Sequence, residues 1–240
     1  MKLDDIKKLH QKKYRSEFGY FLVEGEHLVQ ELQHAALSRP ALRASELYVT
    51  EAYAHWPSPF KTHLIGERQM AQIADTKTPQ GIIALVPMPE STSARAANER
   101  AIYLHEVQDP GNLGTILRTL AWFGGFRCLL SPGSVDPYNP KVVRASMGAI
   151  FHAPLELDVE LGTLGGRFPR IACLDMRGDS LQNPAFRQFD CYLFGNEARG
   201  LPGEQLEALG AHAFTIAGGG AIESLNLATA VNICAYELKR

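Results

Sequence analysis

Paired cysteines are missing from this sequence: Cys128, Cys173, Cys191 and Cys234 lie far apart and form no C-x-x-C. That spacing excludes a disulfide framework and a thiolate zinc site, and the four read as small buried apolar residues in a reducing compartment. Long hydrophobic runs are missing too, since no stretch approaches the roughly 18 unbroken apolar residues of a membrane helix. The N-terminal MKLDDIKKLHQKKYR lacks the apolar core of a secretory signal. Neither sign of charge dominates, because 24 Lys+Arg against 26 Asp+Glu leave a net −2 over 240 residues. The eight histidines nowhere cluster at ligand spacing. His105-Glu106-Val-Gln-Asp109 starts like a zincin helix, but it has no second histidine and reads as strand. No metal is expected.

Several chemical signatures are also lacking. Without a G-x-x-x-x-G-K-S/T the chain is no P-loop NTPase, and without a G-x-S-x-G elbow it has no acyl-transfer serine. Gly111-Asn-Leu-Gly114 falls short of the full G-x-G-x-x-G, which disfavours a dinucleotide-dependent oxidoreductase. What is present is a composition of 45% hydrophobic and 21% charged residues, enough for a real core. The expectation is a soluble, cytoplasmic α/β protein.

A seam at 87–98, Pro-Met-Pro-Glu-Ser-Thr-Ser-Ala-Arg-Ala-Ala-Asn, has two prolines and no apolar periodicity, and reads as a linker over 88–98. Before it, helical patterns at 26–37 and 67–74 alternate with strand patterns at 47–50, 63–65 and 82–86, a small α/β domain over 1–87. After it, strand-length apolar runs at 102–107, 126–130, 171–174, 191–194 and 213–216 alternate with helical patterns at 113–123, 140–148, 202–209 and 225–238. Runs that are apolar throughout belong to strands covered on both faces, so 99–240 is expected to form a mostly parallel sheet with helices on both sides.

Charge is unevenly spread. Residues 1–15 carry Lys2, Lys7, Lys8, Lys12, Lys13 and Arg15 against Asp4 and Asp5, a local +4 on an otherwise acidic chain. Such an arm fits a phosphate backbone, and it equally fits a solvated helix face.

Three polar, glycine-containing loops each follow a predicted strand: Asp109-Pro-Gly-Asn-Leu-Gly114, Gly195-Asn-Glu-Ala-Arg-Gly200 and Gly218-Gly-Gly-Ala-Ile-Glu-Ser-Leu-Asn226. Any one of them passes for an ordinary turn. Together, beyond the carboxyl ends of parallel strands, they can converge on one crevice.

In order and separation, Asp109 through Arg118, Leu193 through Leu201 and Ile216 through Glu237 resemble the three motifs of SpoU (TrmH-type) RNA ribose 2′-O-methyltransferases of the SPOUT superfamily. Upstream, Lys8-Leu-His-Gln-Lys-Lys-Tyr-Arg15, Phe21-Leu-Val-Glu-Gly25 and Thr78-Pro-Gln-Gly81 are similar to the substrate-binding domain of the rRNA-directed branch. The resemblance implies a trefoil-knotted catalytic domain, a homodimer, and S-adenosylmethionine held by Gly195, Asn196, Ile216, Ala217 and Leu225. It implies catalytic roles for Asn112, Arg118, Glu197, Ser224 and Asn226. Lys7, Lys8, Lys12, Lys13 and Arg15 become the expected RNA contacts. The substrate it implies is 23S rRNA, with tRNA or a catalytically inactive RNA-binding assembly factor as alternatives. Two departures bear on the cofactor wall: Ile216-Ala217-Gly218 stands where the third motif usually reads Ile-Pro-Met, and Ala198 where the second has glycine.

The residues supply a physical reading of their own. Arginine stays protonated in proteins, so Arg118 suits positioning and charge stabilisation rather than proton removal. It lies six residues after Asn112, and the expectation is that a helix from about 113 presents both towards one edge. Ser224 and Asn226 open the last helix, where capping alone would account for them.

Overall fold

The computed structural model describes residues 1–89, 99–222 and 224–240, so most of the seam and Glu223 lie outside the described residues. In chain order the first elements are α1 (Leu3–Lys8), α2 (Lys12–Phe18), β1 (Tyr20–Glu24), α3 (Glu26–Ser38), β2 (Glu46–Val49), β3 (Lys61–Leu64), α4 (Glu67–Ile73) and β4 (Ile82–Pro87). Then come β5 (Arg100–Leu104), α5 (Pro110–Phe123), β6 (Phe126–Leu130), α6 (Pro140–Ser146) and β7 (Leu155–Glu156). The last are β8 (Ile171–Ser180), β9 (Cys191–Phe194), α7 (Gly203–Ala208), β10 (His212–Thr215) and α8 (Leu227–Lys239). No helix among the described residues is long and apolar enough to cross a membrane.

The chain forms two compact units, and they do not follow it in two blocks. The first comprises Met1–Glu90 together with Asp136–His152. Its four-stranded sheet runs β1-β4-β2-β3, antiparallel except for the β2–β3 pair. The central strand β4 is buried from Ile82 through Val86, which is why it reads as an unbroken apolar run. Ile6 and Leu9 beside α1, with Met70 and Ile73 of α4, pack against Leu22, Tyr48, Ile83 and Leu85. Helix α3 turns Leu28, Val29, Leu32, Ala35 and Ala36 inward, the spacing of a one-faced helix.

Segment Asp136–His152 falls inside the span 99–240 that the sequence assigns to one catalytic domain, yet it packs with the first unit. The cause is specific side chains. Tyr138 lies 4.9 Å from the Phe21 ring, Arg144 pairs with Asp75 at 2.7 Å, and Val142 and Val143 are buried.

The second unit carries a six-stranded sheet in the order β10-β8-β9-β5-β6-β7, every pairing parallel. On one face Tyr103, Leu129, Cys173 and Leu193 meet Leu161, Leu164 and Phe168, with Leu206 and Leu209 alongside. Helix α5 packs on β6 and on α8, burying Leu113, Ile116, Leu117 and Leu120 of α5 and Val231, Cys234, Ala235 and Leu238 of α8. The strand order reverses between β5 and β9, and ligands of parallel sheets gather at the carboxyl ends beside such a reversal. All four cysteines are free and buried.

Candidate active site

Each loop is shaped by its own residues. Strand β5 ends at Leu104, three residues earlier than its apolar pattern suggests, because Glu106 turns the chain with φ +47°. The Glu106 amide donates to Ser131 Oγ at 2.7 Å, and its carbonyl accepts from Asn196 Nδ2 at 2.8 Å. Asp109 then caps α5: its Oδ1 accepts from the Asn112 amide at 2.7 Å, and Pro110 fills the first helical position. After β9, Asn196 and Gly200 exchange backbone hydrogen bonds of 3.1 and 2.8 Å and close the second loop. Gly195 must be glycine for that closure, since a Cβ there would lie 2.4 Å from the Gly200 carbonyl carbon. At the third loop Asn226 caps α8, its Oδ1 accepting from the Thr229 amide at 3.2 Å.

The three loops meet through side chains. Asn112 Nδ2 donates to Glu197 Oε1 at 3.0 Å, and Asn112 Oδ1 accepts from Asn226 Nδ2 at 2.8 Å. One residue from each motif thus enters a single hydrogen-bonded row with Asn112 at its centre. Both ends of the Asn226 amide are occupied, whereas Glu197 Oε2 has no partner among the described residues. Ser224, two residues before Asn226, is exposed and joins no hydrogen bond of the row.

Arg118 stands apart from it. At 3.6 residues per turn, six residues place Arg118 about 120° around α5 from Asn112, so the expectation of a shared edge is corrected. Its side chain is exposed and forms no hydrogen bond or ion pair with a described residue. Within the chain, Arg118 and Asn112 are not partners.

The residues expected at the cofactor divide in the same way. Asn196 is buried, and its side chain is used internally: Oδ1 accepts from the amides of Ala198 and Arg199, Nδ2 holds Glu106. It shapes the loop and has little left to offer a ligand. Ile216 follows β10 half-buried, Ala217 is exposed, and Leu225 is 43% exposed. The backbone groups of 217–220 make no hydrogen bond with a described residue, and a Cβ at Gly218, Gly219 or Gly220 would meet open space.

In the first unit, Lys7, Lys8, Lys12 and Lys13 are exposed on α1 and α2. Lys8 pairs with Asp5 at 2.9 Å, and the ammonium groups of Lys8 and Lys13 lie 5.8 and 5.6 Å from the Tyr14 ring centre. Arg15 does not belong with them. It is 3% exposed, donates from Nε and Nη2 to Asp136 Oδ2 at 2.9 and 2.5 Å, and from Nη1 to the Leu9 carbonyl at 2.7 Å. A guanidinium this buried, with each of its three nitrogens already donating within the unit, is closed off from a phosphate, so Arg15 is a structural residue and not an RNA contact.

One feature escaped sequence reasoning altogether. A cleft of about 430 Å³ opens beside the ends of β5 and β6, lined among others by His105, Glu106, Glu160, Arg199 and Gln205. Its signal was His105-Glu106, which resembles a broken metal motif and instead forms part of a wall.

Residues 99–236 match the SpoU rRNA Methylase family, and residues 2–84 match the MRM3-like substrate binding domain. The chain is 34% identical to the 23S rRNA (guanosine(2553)-2′-O)-methyltransferase RlmP of Bacillus subtilis, over 99% of this chain and 96% of that protein. A TrmH-family protein from Porphyromonas gingivalis superposes with a TM-score of 0.84 at 30% identity, covering 99% of this chain and 96% of that one. The AdoMet-bound rRNA methyltransferase of Sinorhizobium meliloti superposes at 0.79 with 27% identity, covering 98% and 93%. The family match over 99–236 and the near full-length likeness to RlmP agree: the chain belongs to the SpoU rRNA methylase family.

Proposed function

We propose that this protein methylates a ribose 2′-hydroxyl of large-subunit rRNA, using S-adenosylmethionine, as a cytoplasmic homodimer on the knotted fold of its family. The observation that carries the reading is the Asn112–Glu197–Asn226 row, which joins all three motif loops at the carboxyl edge of a parallel sheet. The AdoMet-bound neighbour and the rRNA named for the curated relative support it.

The residues present fit the cofactor. Backbone donors and acceptors over 217–220 with no partner among the described residues suit a hydrogen-bonding purine and amino acid group, and exposed Leu225 offers an apolar surface for the adenine ring. When bound, S-adenosylmethionine supplies a methyl group on a sulfonium sulfur. The chain's task is to hold the hydroxyl in line and manage the charge that grows on its oxygen. Glu197 Oε2, which has no partner among the described residues, is the acceptor this reading assigns to the hydroxyl hydrogen. Asn112 fixes the Glu197 carboxylate from behind, and Asn226 fixes Asn112.

Arg118 enters from a second copy. Trp122, one turn along α5 on the same face, is 85% exposed, and Tyr236 on the neighbouring α8 is 58% exposed. A partner covering this face brings an arginine to a site whose own Arg118 points elsewhere. The exposed lysines of α1 and α2 give the first unit its affinity for phosphates.

Two measurements test the reading. Calorimetry with S-adenosylmethionine is expected to show binding. Ribose-methylation maps of rRNA from cells with and without the gene are expected to differ at a large-subunit position; identical maps would refute the assignment.

A further inference from the structure

We infer that Glu106, which stands outside the three motif loops, is the positioning residue of the second one: its carboxylate latches Arg199 and so holds Glu197 against Asn112. The effect on rate rests on the methyltransferase reading; the latch itself does not.

The backbone at Glu106 gives the first observation. Its φ of +47° lies in the left-handed region, which glycine enters freely and glutamate enters at a cost. Glycine would serve the turn as well, because the backbone bonds made there need no side chain. The amide donates to Ser131 Oγ, and the carbonyl accepts from Asn196 Nδ2 and, at 3.0 Å, from Gln108 Nε2. What glycine lacks is the carboxylate, and that carboxylate pairs with the Arg199 guanidinium. The pair is what this strained position gains from a glutamate.

The second observation is where these bonds fall on the loop at 195–200. Asn196 bonds to the Glu106 carbonyl and Arg199 to its carboxylate. Glu197, which accepts from Asn112 Nδ2 at 3.0 Å, lies between them in the chain. The loop's internal bonds tie one anchor to the other. The amides of Ala198 and Arg199 donate to Asn196 Oδ1 at 2.9 and 3.1 Å, and the Gly200 amide donates to the Asn196 carbonyl at 2.8 Å. One residue outside the loop thus fixes both flanks of the residue that enters the polar row. Releasing Arg199 frees one flank and leaves the other held, so the loop loosens without unfolding.

Arg199 is 71% exposed, and a pair so open shifts an equilibrium by no more than about fivefold. That is small for the fold as a whole and large enough to read in the position of a loop. Because the pair is open, salt screens it.

Two substitutions in the full-length protein separate the parts. Glu106→Gly removes the carboxylate and relieves the backbone, whereas Arg199→Met removes only the charge. Amide exchange at Ala198, Arg199 and Gly200, followed in the protein alone, is expected to quicken about threefold to fivefold in either variant. The double variant should exchange no faster than the quicker single one. Salt at about 1 M should close the gap between wild type and Arg199→Met. Glu106→Gly should melt no lower than wild type, yet kcat on large-subunit rRNA should fall about threefold to fivefold in both variants. Wild-type exchange in Arg199→Met, or losses that add in the double variant, would overturn the latch. Full turnover in Glu106→Gly beside a slow Arg199→Met would overturn it too, by making Arg199 a direct contact of the RNA. The expected exchange, with no methyl transfer by the wild type to any rRNA, would uphold the latch and sink the methyltransferase reading.

Discussion

Arg118 and Arg15 carry the same side chain into opposite circumstances. Arg118 is exposed with no partner among the described residues, so its removal costs the fold little and the reaction a great deal. Arg118→Ala is expected to lower methyl transfer by at least about 100-fold, with cofactor affinity changed only a few fold. Arg118→Lys should fail almost as badly, because a point charge does not replace a planar fork. Arg15 is buried against Asp136. Arg15→Ala leaves that carboxylate unpaired, and a loss of about 3–5 kcal/mol is expected in urea unfolding. The sequence could not separate the two roles. Arg15 sits in a run of lysines, and the carboxylate that buries it lies 121 residues away. The spacing of Asn112 and Arg118 was legible, but its meaning was not, since six residues on a helix separate side chains instead of aligning them. The cysteines read correctly as buried and apolar. Burial pushes the Cys173 thiol up to about 11 and the Cys128 thiol up to about 12, so both stay protonated at neutral pH. Thiol reagents should leave the native protein unlabelled and react once it is unfolded.

At the scale of elements, strands buried on both faces were the easiest to read. β6 and β9 are buried from end to end, with Arg127 of β6 paired to Glu99, and their bounds coincide with the strand-length runs read from the sequence. β8 was half legible: its apolar run stops at Leu174, yet the strand continues to Ser180 through exposed, mostly polar residues whose pairing with β10 no periodicity announces. β7 has two residues and gave no signal. A knot leaves none either, because threading is a property of the whole path and not of any segment. Helix α8 ties element to chemistry. Asn226 caps it and also holds Asn112, so Asn226→Ala should cost about 1 kcal/mol for the cap. Its effect on kcat should be far larger than that loss explains. Asn226→Ser, which can still cap, should recover the stability and not the rate, as melting and turnover measured side by side would show.

Over the whole molecule, +4 of charge on residues 1–15 faces −6 on the rest, which concentrates any pull on phosphates at one end of the chain. Replacing Lys7, Lys8, Lys12 and Lys13 by Gln should raise KM for RNA and flatten the salt dependence of binding by roughly 0.7 for each phosphate that is no longer neutralised. The maximal rate should hold. An unchanged slope would return these lysines to the status of a solvated helix face. The interleaved units limit what truncation can do. A fragment of residues 99–240 would strip the cover from Tyr138, Val142, Val143 and Phe151, all buried in the intact chain, so it should aggregate unless segment 136–152 is made polar.

A site built from three loops of one copy and Arg118 of another can be tested by mixing two inactive variants. Arg118→Ala keeps its own loops intact, and Gly195→Trp destroys the second loop while keeping its arginine. After random subunit exchange half of the dimers are mixed, and each mixed dimer holds one complete site. The expected rate is about a quarter of the wild-type value. A mixture that stays inactive, once exchange has been verified by mass spectrometry, would contradict a shared site and return the reaction to a single chain.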